Sequence, residues 1–112
     1  MAFSEKSADL INQLVSAEYK NACERFGDKY NSLHEGYAVL LEEIEEVEEQ
    51  HKKLQLIKTL WNEIKNNANE KLIDSTLTLM HASIKLEIAE LAQSAAVVEK
   101  MMNTIGDEKY DY

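Results

Sequence analysis

The chain contains no proline and only three glycines, Gly27, Gly36 and Gly106. Proline breaks the hydrogen-bond ladder of a helix, and glycine costs a helix interior about 1 kcal/mol against alanine. Their scarcity, beside abundant Glu, Leu, Ala and Lys, predicts helices almost throughout. Positive charge is also scarce, with 12 Lys and Arg against 21 Asp and Glu, a net charge of −9. No basic stripe exists to displace counterions from a nucleic acid or to adhere to an anionic membrane, so neither is expected as a partner. An acidic chain can still handle a phosphate compound where divalent cations mediate the contact. The single cysteine, Cys23, excludes an internal disulfide, and its apolar helical surroundings predict a buried structural thiol. No run approaches about 18 apolar residues, so no membrane-spanning helix is expected. The opening MAFSEKSADL has neither a basic stretch nor a long apolar run, which argues against a secretion signal and for a cytoplasmic location.

What remains is a 112-residue chain with 45% hydrophobic and 29% charged residues, the size and balance of one globular domain. We assign residues 1–106 to a single all-α domain and residues 107–112 to an acidic C-terminal tail. A first helix is predicted from about Ser7 to Phe26, with Leu10, Leu14, Ala22 and Phe26 in one row, and Gly27 as its C-cap. Ser32-Leu33-His34-Glu35 reads as a capping box opening a second helix, whose inner face holds Tyr37, Leu40, Leu41, Ile44 and Val47. Its stripe continues to Ile64 but slips at Ile57, which fits one long bent helix or two helices with a tight joint. Tyr37 and Trp61 sit on these stripes, which favours core packing for both. Asn66, Asn67 and Asn69 mark the next connection. Asp74 or Ser75 is placed to cap a last helix that stops at Gly106. That helix carries a heptad row, Leu77, Ile84, Leu91, Val98 and Ile105, with Ile88, Ala95 and Met102 between. An antiparallel bundle of three to four helices follows, and the apolar flank of Leu79, Leu86, Val97 and Met101 suggests oligomerisation through helices.

Within this pattern two glutamate pairs stand at i, i+3 spacing, Glu43/Glu46 and Glu87/Glu90, so each pair can direct both carboxylates to one point. Helical phase assigns Glu42, Glu45 and Glu49 to solvent, puts Glu43 at the border of the apolar face and leaves Glu46 outside it. Glu87 falls near the middle of the arc of Ile84, Leu91, Val98 and Met101, with Glu90 toward the Leu86/Val97 flank. A buried carboxylate must be protonated, paired or bound to a cation, and Lys85 and Lys100 fall on the far side of that helix. Glu18 also lies within an apolar arc, where Arg25 is the expected partner. Two carboxylate pairs on facing helices would form a cage of hard oxygen donors suited to Mg²⁺ or Mn²⁺. A di-iron site needs two Glu-x-x-His pairs. Only Glu48/His51 exists, and it reads as core or interface polarity.

The pattern Glu42-Glu43-x-x-Glu46, followed later by Glu-x-x-Asp or its like, resembles the metal motif of the all-α MazG-like nucleoside triphosphate pyrophosphohydrolases. The segment from His34 to Glu43 is similar to a MazG-like group common in bacteria and their phages, and the resemblance spans roughly residues 26–102. It implies Mg²⁺-dependent hydrolysis of a nucleoside triphosphate to the monophosphate and pyrophosphate, by a homodimer or homotetramer. Carried over by residue, Glu43 and Glu46 match the first ligand pair, and Glu42 the motif's leading, supporting Glu. Glu87-Ile88-Ala89-Glu90 fits the second pair with Glu for Asp. The alternative register, Glu90-Leu91-Ala92-Gln93, replaces the second acid by an amide. The alternative function is a catalytically silent, phage-related member of the same group that acts through protein–protein contacts.

Overall fold

In a computed structural model the backbone is described for residues 3–110, and side chains for all of these except residues 25, 26 and 107–110. The described residues are all-helical: α1 spans Glu5–Phe26, α2 Leu33–Lys52, α3 Leu56–Lys65 and α4 Glu70–Tyr110, with a 3-10 turn at Lys53–Gln55 between α2 and α3. The chain divides into two compact units, Met1–Ile44 with Leu91–Tyr112, and Glu45–Glu90. Helices α2 and α4 contribute residues to both.

Local chemistry accounts for most of the helix ends. Ser4 caps α1 by accepting from the Ser7 amide, so the helix begins two residues before the expected Ser7. It ends at Gly27, whose φ of 80° few side-chain-bearing residues adopt, with its amide donating to the Cys23 carbonyl at 2.8 Å. Ser32 accepts from the Glu35 amide, giving half of the expected capping box; the Glu35 carboxylate instead accepts from Asn31 Nδ2. The slip at Ile57 is absorbed by the 3-10 turn, so the tight joint between two helices is what forms. Past α3, Asn67 takes the left-handed conformation, φ 55°. The Ala68 amide reaches the Glu63 carbonyl and the Asn67 amide reaches that of Ile64, a Schellman ending. Asn69, not Asp74 or Ser75, caps α4: its Oδ1 accepts from the Leu72 amide at 2.9 Å. Gly106 does not stop α4, which continues to Tyr110, so the expected frayed tail is helical that far, and residues 111–112 lie outside the described residues. No helix among the described residues is long and apolar enough to cross a membrane.

The first unit joins α1 and the start of α2 to the end of α4. Ala92, Ala96 and Val97 are buried there, with Lys100 and Thr104 beside them. Thr104 Oγ1 accepts the Tyr30 amide at 2.9 Å and donates to the Lys100 carbonyl. Gly36 is buried where a Cβ would come within 2.7 Å of Met101 Cγ and 3.0 Å of Tyr30 Cδ2, so the close approach needs glycine. In the second unit, α3 and α4 are tied by the buried Thr76 hydroxyl, which donates to Glu63 Oε1 at 2.6 Å. A buried charged acceptor with a hydroxyl partner is strongly held, and expensive to leave unpaired.

The inner surface of α4 departs from the expected one. Thr76, Ser83, Val97 and Thr104 face inward, while their aliphatic neighbours Leu77, Ile84, Val98 and Ile105 are exposed. Tyr37 and Trp61, expected in the core, are 61% and 60% exposed.

Gly36→Ala is expected to destabilise the protein by about 1–3 kcal/mol through overpacking, although alanine is the better helix former. Thr76→Val should cost about 1–3 kcal/mol by leaving the Glu63 carboxylate without its hydroxyl donor. Urea unfolding followed by far-ultraviolet circular dichroism measures both.

Candidate functional site

The four expected ligands divide between the two units, Glu43 in the first and Glu46, Glu87 and Glu90 in the second.

In the second unit, Glu90 is half-buried and its Oε2 is shielded from solvent. Loss of hydration raises its pKa from the ordinary value, the nearby Glu46 and Glu49 charges push the same way, and Lys53 partly opposes them. Glu46 and Glu49 are themselves exposed. Glu46 and Glu90, one from each expected pair, are thus close enough to feel one another. Glu87 is turned to a different use: its Oε1 lies 2.9 Å from His51 Nδ1, with the imidazole largely in solvent and the carboxylate largely buried. The carboxylate that seemed most anomalous by position therefore has a partner, and His51, read as a core or interface polar group, is that partner. Among the described residues, no three His, Cys, Asp or Glu side chains converge closely enough to form a metal-holding group.

In the first unit, a cavity of about 420 Å³ is lined by Glu18, Tyr30, Val39, Glu43, Gln93 and Lys100, among others. Glu18 and the second-register candidate Gln93 thus line the same cavity as Glu43. The Arg25 side chain, Glu18's expected partner, lies outside the described residues. Lys100 was placed by phase on the far side of α4 and is instead 2% exposed, with Nζ 4.4 Å from the centre of the Tyr30 ring. The ammonium group lies over the aromatic face. Burial raises the Tyr30 phenol pKa, and the Glu35 and Glu43 charges reinforce the shift. The lining thus combines two acids, side-chain amides and a buried lysine with apolar side chains. Cys23, half-buried, hydrogen-bonds the Tyr19 hydroxyl, which raises that phenol's pKa. This fits a structural thiol, though not a fully buried one.

Comparison with protein-family profiles, with curated proteins and with solved structures finds no match to this chain.

Because the folded state raises the Glu90 pKa, it binds that proton more tightly than the unfolded chain does. The resulting stability is fully present below the unfolded value and is lost as pH rises through the folded one. Glu90→Gln should therefore melt higher than the parent near neutral pH, with the advantage vanishing below about pH 4. Thermal melts across that range without divalent cations measure it.

Proposed function

We propose that the chain is a Mg²⁺- or Mn²⁺-dependent nucleoside triphosphate pyrophosphohydrolase of the MazG-like kind, a cytoplasmic helical bundle working as a homodimer or homotetramer. The observation that carries this reading is Glu90, a shielded carboxyl held in the field of Glu46 and Glu49. Hard oxygen donors gathered at a cost in charge repulsion fit a small divalent cation. Mg²⁺ in particular takes one or two protein carboxylates and completes its shell with water and substrate phosphates, so it does not need a closed cage. Glu46 and Glu90 would hold it, and when bound it would neutralise phosphate charge and activate water for attack on phosphorus. Glu43 keeps its place in the motif of α2 and lines the first unit's cavity, where Lys100 supplies positive charge. With Glu87 engaged by His51, the reading rests less on Glu87/Glu90 as a pair than on Glu46 with Glu90.

A second reading, a catalytically silent, phage-related MazG-like protein acting through protein–protein contacts, is favoured by the large side chains left exposed on α3 and α4, among them Ile57, Trp61, Leu79 and Met102. An extensive apolar surface of this kind marks an interaction site.

Mg²⁺ or Mn²⁺ should raise the melting midpoint of the parent by mass action. Glu46→Gln and Glu90→Gln should each remove most of that rise. Absence of a metal response in the parent overturns the first reading. With a response in hand, pyrophosphate release from a panel of nucleoside triphosphates decides between the two: turnover supports the enzyme, and none at saturating metal supports the silent relative.

A further inference from the structure

We propose that α4 pairs along its exposed heptad row with α4 of a second copy of this chain. The inference rests on the oligomeric part of the reading above and on none of its chemistry.

In the first unit, the α4 residues Leu91, Val98, Met102 and Ile105 are exposed. In the second, Leu77, Ile84 and Ile88 are exposed on the same helix. The register of these residues continues unbroken in the sequence: Leu77, Ile84, Leu91, Val98 and Ile105 recur every seven, with Ile88, Ala95 and Met102 four residues after Ile84, Leu91 and Val98. That is the a/d pattern of a coiled coil, the pattern by which one helix packs against another along a seam. The position one residue before each member of the row holds Thr76, Ser83, Glu90, Val97 or Thr104, and these are buried or half-buried. Along this row the helix thus turns Thr76, Ser83 and Thr104 toward its own chain and leaves Leu77, Ile84 and Ile105 outward. A monomer gains nothing from that inversion, because burying a large aliphatic side chain stabilises by about 1.5–3 kcal/mol.

The occupant follows from area and pattern. The seven exposed side chains of the row are each 41–63% accessible. Together they offer roughly 600 Å² per copy, close to the roughly 800 Å² per partner of a standard stable interface. The row itself carries no charge, and Lys85, Glu87 and Glu99 stand at its flanks. A heptad seam is complementary to itself, and a two-fold pairing needs only a second copy of the same surface.

Leu91 is the midpoint of the row, so full-register pairing, parallel or antiparallel, brings it beside its own copy. In a Cys23→Ser background, Leu91→Cys should form an intermolecular disulfide under mild oxidation, whereas Leu79→Cys, on a different face of α4, should not. Sedimentation of the parent chain should give twice the 12.8 kDa chain mass or an even multiple of it. Ile84→Glu with Val98→Glu should give single copies with helicity retained. If that double variant loses its helicity, the cysteine pair alone decides. A parent that sediments as single copies at tens of micromolar overturns the proposal, as does cross-linking at Leu79→Cys but not at Leu91→Cys. A helical double variant that keeps the parent's mass overturns it too. None of these outcomes depends on metal binding or turnover, so the pairing and the proposed chemistry fail separately.

Discussion

Threonine hydroxyls on the inward side of α4 are the constraint around which each unit is organised. In the first unit, Thr104 accepts the Tyr30 amide and donates to the Lys100 carbonyl, fixing the chain just before α2 against the end of α4. Once Tyr30 is held there, its ring lies under Lys100 and beside Gly36, and the cavity takes its shape. In the second, Thr76 donates to the buried Glu63 and so sets α3 against the start of α4. Hydroxyl contacts are short and directional, so they fix the rotation of α4 about its axis more sharply than interchangeable aliphatic contacts would. That rotation decides which residues are left for solvent.

The two candidate regions differ in their electrostatics. At Glu90, loss of hydration raises the pKa, with Glu46 and Glu49 adding to the shift and Lys53 opposing it. Glu87, one turn earlier, has His51 for a counter-group. The first unit's cavity mixes the signs, with Glu18, Glu43 and Lys100 all in its lining. These are the places where folding places charge at some expense, and such expense concentrates where ligands bind.

Local signals in the sequence located most of the helices well. Breaker scarcity, Ser32, Gly27 and the asparagines at 66, 67 and 69 each act over a few residues, and each marks a real boundary. Gly106 misled because an isolated glycine only weakens a helix without ending it. The faces were harder. Heptad spacing reveals a row but not what lies opposite it, and large aliphatic residues were taken as inward. The hydroxyls one position away have distant partners, Thr104 with Tyr30 and Thr76 with Glu63, which no periodicity encodes. Lys100 went unseen for the same reason: its burial depends on an aromatic ring 70 residues earlier. For the glutamates, spacing identified the right helices, while the partner of Glu87 depended on where the His51 ring came to lie.

Trp61 is the only tryptophan in the chain, and on α3 its indole stands 60% in solvent. Its emission in the isolated chain is therefore already close to that of an indole in water, and unfolding changes it little. A shift to the blue would require something to cover α3, which makes the native fluorophore a poor witness of folding and a good one of contact.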